Sequence, residues 1–112
     1  MKTLTEEEAH SYCLKAWEWL SKHSDPTLSS EINKYMARTA IGISDDFVMA
    51  ECFLCEYYCN QYNGGCYSCP INKCNSRNKP YVNWYLVQTP ENALIFYNYL
   101  KKKLKKEVIN QP

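Results

Sequence analysis

The segment CFLCEYYCNQYNGGCYSCPINKC, residues 52–74, carries six of the seven cysteines of a 112-residue chain. Two Cys-x-x-Cys pairs, Cys52/Cys55 and Cys66/Cys69, stand ten residues apart. Each pair offers two thiolates to one ion. Four thiolates close a tetrahedral zinc shell with no position left for water, so the chemistry implied is structural. The favoured zinc ligands are Cys52, Cys55, Cys66 and Cys69; Cys59 and Cys74 compete for the same shell, Cys74 being the substitute ligand. An iron–sulfur cluster is the runner-up, because Pro70 follows Cys69 as in some ferredoxin runs, although neither ferredoxin spacing is reproduced.

Redox compartment supports metal over disulfides. The N-terminal MKTLTEEEAHSYC contains no apolar run of the kind a secretory signal needs, and nowhere do 18 uncharged apolar residues follow one another. The chain therefore reads as cytoplasmic and without a membrane span, where reducing conditions disfavour disulfides. The formal net charge of +1 indicates no global field toward nucleic acid or membrane.

Around the cysteines the chain reads as one mainly α domain, residues 1–112, with helices near 5–23, 26–41, 44–60 and 90–107 and a Cys-rich loop at 62–79. Thr5 and Glu8 form a capping-box pattern, and Ala9, Tyr12, Cys13, Ala16, Trp17 and Leu20 fall on one helical face. Cys13 belongs to that stripe and is expected in the core. Asp25 before Pro26 is the first reading of the second N-cap, with Thr27 and Ser29 as alternatives. Its apolar side is expected to be Ile32, Tyr35, Met36 and Ala40, with Gly42 as the stop. In the third helix Phe47, Ala50, Phe53, Leu54, Tyr57 and Tyr58 share one arc while Cys52, Cys55 and Cys59 share nearly the opposite one. A metal there would pin the following loop to that helix. Tyr81–Val87 is β-prone by content but too short to decide between strand and helix. Thr89-Pro90-Glu91 opens the last helix, whose stripe is Ala93, Phe96, Tyr97, Leu100 and Leu104.

Catalysis is not indicated. His10 and His23 are the two histidines, one in a charged first turn and one near a helix C-terminus, and no nucleophile elbow, phosphate loop or deaminase signature occurs. Ten tyrosines and three tryptophans exceed what one small core needs, which points to a binding surface. Tyr62, Tyr67, Tyr81 and Tyr85, with Trp84 shared between core and interface, are the expected contact residues. Lys101, Lys102, Lys103, Lys105 and Lys106 support nucleic-acid binding as the alternative, although cations also suit a helix C-terminus.

CFLCEYY, GCYSCPI, KC and PYVNWY together resemble a group of small proteins encoded by tailed bacteriophages. These share C-x-L-C-E, then C-x-x-C-P-L/I, a further Cys, and Y-x-x-W before a closing helix. The matching residues are Cys52, Leu54, Cys55, Glu56, Cys66, Cys69, Pro70, Ile71, Cys74, Tyr81 and Trp84, within residues 52–104. Cys59 is an addition to the pattern and Cys74 a part of it. The resemblance implies a phage accessory protein that binds and inhibits a host factor, such as an antiviral defence system, or sequesters a signalling nucleotide.

Overall fold

Four helices follow from four local signals in the computed structural model, which describes residues 5–43 and 79–109. The expected helix at 44–60 and the Cys-rich loop lie outside the described residues. Helix α1 spans Glu6–His23. Thr5 Oγ1 accepts from the Glu8 amide at 3.1 Å, and Glu8 Oε1 accepts from the Thr5 amide at 2.9 Å, the reciprocal capping box expected. The Thr5 backbone donor holds the Glu8 carboxyl below its ordinary 4.5. At the other end the Ser24 amide and hydroxyl both donate to the Leu20 carbonyl, at 3.0 and 2.6 Å. Ala9, Cys13, Ala16, Trp17 and Leu20 are buried along one stripe, as the spacing predicted, and His10 is buried with them.

Helix α2 spans Ser30–Ala40, four residues shorter at its start than expected. Ser29 is the N-cap, its side chain accepting from the Ile32 amide at 3.1 Å. Asp25 does not cap because its Oδ1 already accepts from the Thr27 amide at 2.9 Å and the Thr27 hydroxyl at 2.6 Å. Those bonds close a local Asx turn and hold the Asp25 carboxyl below its ordinary value, chiefly through the Thr27 hydroxyl. The helix stops as expected at Gly42, which takes φ 81°, while the Gly42 and Ile43 amides return to the carbonyls of Thr39 and Arg38 at 3.1 and 3.0 Å. This is a Schellman closure, and a left-handed residue at its centre favours glycine.

The inward face of α2 corrects the hydropathy reading. Ile32 and Tyr35 are 47% and 52% exposed, whereas Asn33, Lys34 and Ala37 are buried. The reason is specific partnering. Asn33 Oδ1 accepts from the Asp25 amide at 2.8 Å, and its Nδ2 donates to the carbonyls of Asp25 and Ser29 at 3.0 and 2.9 Å. One amide side chain thus satisfies the α1–α2 connection from inside. Asn33→Ala leaves the Asp25 amide without its acceptor, and a loss of about 2 kcal/mol is expected. A reduced denaturant midpoint at unchanged m-value is the check; an unchanged midpoint would show that water replaces the side chain.

Helix α3 spans Pro80–Leu86 and resolves the open strand-or-helix choice. Pro80 stands at the first helical position, where its fixed φ suits a helix and its missing N–H costs nothing. Val87 ends the turn in an extended conformation. Helix α4 then spans Pro90–Ile109, with Thr89 Oγ1 accepting from the Asn92 amide at 3.2 Å. Proline at its first position and Glu91 in its first turn bear out the expected start.

α1 packs most extensively on α4, and α2 and α3 close against α1 and α4 respectively. Buried residues of all four helices belong to one apolar cluster. At its centre Trp17 meets Trp84 and Phe96 edge-on, at 4.7 and 4.6 Å between ring centroids. Each such edge-to-face pair adds about 0.5–1.5 kcal/mol beyond area burial. Ala93, Phe96, Leu100 and Leu104 of α4 are buried as predicted, and Tyr97 is partly so. The protein is mainly α, and among the described residues no strand occurs. None of the described helices is long and apolar enough to cross a membrane.

Candidate functional site

The short helix α3 decides which of the expected contact residues reach the surface. Pro80 starts the helix, and the 3.6-residue period then turns Trp84 toward Trp17 while leaving Tyr85 and Leu86 outside. Trp84 is fully buried, and its Nε1 donates to Ser24 Oγ at 3.0 Å. This corrects its assignment as a contact residue: indole burial is favourable here because the one polar atom finds a buried acceptor. Tyr81 is partly buried. Its hydroxyl accepts from Lys34 Nζ, which also lies 4.7 Å from the Tyr81 ring centroid and 6.0 Å from that of Trp84. Burial of the Lys34 stem is thereby compatible with a solvated or partnered charge, the ammonium facing π-systems and a hydroxyl. Tyr81 and Lys34 join α3 to α2.

Tyr85 remains as an exposed aromatic, as expected. It is not alone. Leu86, Val87, Leu94 and Ile95 are also exposed, so five large apolar or aromatic side chains within residues 85–95 face outward. Leu86 is 70% exposed. The turn that presents them is tied down: Asn92 Nδ2 donates to the Val87 carbonyl at 3.0 Å, and Gln88 Nε2 donates to the carbonyls of Trp84, at 3.1 Å, and Tyr85. A rigid corner carrying apolar side chains has what a binding face needs, since little ordering entropy opposes its use. Sequence reading missed Leu86, Val87, Leu94 and Ile95. The available signal was their position off the stripe of α4: at 100° per residue, Leu94 and Ile95 fall well outside the arc of Ala93, Phe96, Tyr97, Leu100 and Leu104.

The basic run on α4 is solvent-facing at Lys101, Lys102 and Lys103. Lys101 Nζ lies 4.6 Å from the Tyr97 ring centroid and Lys103 Nζ 5.6 Å from that of Tyr99. Two of these cations therefore rest on tyrosines of their own helix, the arrangement of a solvated face with i, i+4 pairs. Tyr97 reaches α1, its hydroxyl donating to Glu18 Oε2 at 3.1 Å. Burial, then the Glu18 bond, pushes its phenol above the ordinary value of 10.0. The side chains of Lys105 and Lys106 lie outside the described residues.

Cys52, Cys55, Cys66, Cys69 and Cys74 lie outside the described residues, as do Tyr62 and Tyr67. Cys13 is 1% exposed within the core stripe of α1, as predicted. Among the described residues no group of three or more His, Cys, Asp and Glu side chains comes together as a metal site. No family model, curated protein or solved structure matches the chain.

Proposed function

We propose that this chain is a non-catalytic, zinc-stabilised accessory protein of bacteriophage type. It acts in the cytoplasm of an infected bacterium by binding and inhibiting a host protein, in a counter-defence role such as anti-CRISPR or other anti-immune activity. The observation that supports docking is the exposure of Tyr85, Leu86, Val87, Leu94 and Ile95 on either side of the α3–α4 turn, because exposed apolar surface on a small protein marks interaction sites. The phage origin rests on the resemblance of residues 52–104, and the zinc on the paired Cys-x-x-Cys spacing. A signalling nucleotide is the next ligand that the resemblance implies.

Leu86→Lys combined with Ile95→Lys tests the docking reading, since both side chains are exposed and neither belongs to the core. The wild-type chain is expected to retain a specific bacterial protein from lysate, and the double variant to lose it by at least about tenfold at unchanged helical circular dichroism. Equal capture by both proteins, or none by either, overturns the corner as the docking face. The second reading is nucleic-acid binding through Lys101, Lys102, Lys103, Lys105 and Lys106, favoured by the exposure of the first three. It predicts capture that nuclease abolishes and that weakens steeply with salt.

A further inference from the structure

The outward side of α1, away from its core stripe, carries a concavity that the docking reading does not use. Lys15, Glu18, Trp19, Lys22 and His23 follow one another at helical spacing, and with Ile41 after α2 they line an open groove of about 350 Å³. That volume falls within the range of small-ligand sites, roughly 300–1,000 Å³. Trp19 is half-buried against the core, and its ring lies 4.6 Å from the His23 imidazole at an interplanar angle of 30°. The two rings lie side by side in the lining of the groove. Lys15 and Lys22 stand at its edge, exposed, and among the described residues neither forms an ion pair. Glu18 is oriented from the far side by the Tyr97 hydroxyl at 3.1 Å.

This lining selects a ligand by three complementary features. A stacked pair of rings favours a planar aromatic group, two ammonium groups favour an anion, and a positioned carboxylate accepts from an amino substituent. An aliphatic ligand would leave the rings unused; a purely anionic one would meet Glu18 without compensation. We propose that the groove between α1 and the end of α2 binds an amino-bearing purine mononucleotide, with its base on Trp19 and His23, its phosphate at Lys15 and Lys22, and its exocyclic amine toward Glu18. The site is separate from the α3–α4 corner, so the proposal stands whether or not that corner docks a protein.

The test uses the full-length protein and adenosine 5′-monophosphate, with adenosine, inorganic phosphate and a short single-stranded oligonucleotide as comparison probes. Trp17 and Trp84 are buried, so quenching of tryptophan emission by a stacked base reports Trp19. Saturable quenching at about one equivalent is expected, with Kd below about 1 mM. Adenosine and phosphate alone are expected to bind at least about tenfold more weakly. Trp19→Ala is expected to weaken the mononucleotide by about tenfold or more, with Trp19→Phe recovering part of the loss because it restores a ring face. Trp19 also packs on the core, so Lys15→Glu with Lys22→Glu provides a variant at exposed positions that spares the fold; it is expected to abolish binding of the mononucleotide while leaving the thermal midpoint in place. Absence of quenching by the mononucleotide, binding that survives the double charge reversal, or binding of the oligonucleotide alone would each overturn the proposal.

Discussion

Trp84→Ala is expected to lower the stability of the domain by about 3–5 kcal/mol, a large part of what a single small domain possesses. Trp84 is fully buried and stands edge-on to Trp17 at 4.7 Å, so its removal opens a cavity at the junction of α1, α3 and α4. Two further variants separate packing from hydrogen bonding. Trp84→Phe keeps a ring against Trp17 but removes the Nε1 donor, and Ser24→Ala removes its acceptor. Ser24→Ala leaves a buried indole N–H unpaired and takes one of two donors from the Leu20 carbonyl, whereas Trp84→Phe removes the donor and leaves a smaller ring in a fully buried site. In the double variant no unpaired indole remains, and a coupling energy of about 1 kcal/mol is expected from urea unfolding of the four proteins. Coupling near zero would mean that the bond across sixty residues of sequence does not hold α3 to the end of α1.

These expectations draw on contacts that differ in how visible they were beforehand. The outer helices were legible because local and tertiary signals agree there: the Thr5/Glu8 box and the Thr89-Pro90-Glu91 opening each precede a stripe that is in fact buried. α2 was legible as a helix but not in its orientation. Its apolar residues were assigned inward, yet Asn33 and Lys34 occupy the inner face through hydrogen bonds to Asp25 and Tyr81 that no hydropathy count registers. At 80–86 aromatic and β-branched content masked a helix whose start is set by Pro80 and whose side-chain assignment is set by Trp84 meeting Trp17. Secondary preference there yields to tertiary packing. The same mixture governs the candidate site. Tyr85 was legible as exposed, Trp84 was legible only as an even choice between core and interface, and Leu86, Val87, Leu94 and Ile95 were overlooked because attention to stripes discards the apolar residues that fall off them.

On the proposed zinc reading, the purified wild-type protein is expected to hold about one equivalent of zinc, and Cys66→Ser is expected to lose it and to lower the thermal midpoint markedly. The argument is one of coupling. A tetrathiolate site does not exist in the unfolded chain, so its binding free energy is available only to the folded one, and losing a ligand forfeits most of it. With Cys52, Cys55, Cys66 and Cys69 as ligands, the ion would join residues 52–55 to residues 66–69, inside the segment that links the Schellman turn after α2 to Pro80 at the start of α3. The helical core, with Trp17, Leu20, Trp84 and Phe96 packed together, has an apolar driving force of its own. Metal loss is therefore expected to leave the buried amides of α1 and α4 slow to exchange. Two controls carry the ligand assignment. Cys13→Ala alters the core stripe of α1 and is expected to keep the full zinc content, and Cys59→Ser, outside the shared pattern, is expected to do the same. Full zinc and an unchanged midpoint in Cys66→Ser would move the fourth ligand to Cys74. Iron with a brown absorbance in the wild-type protein would replace the zinc site by a cluster and make electron transfer or redox sensing the function to pursue.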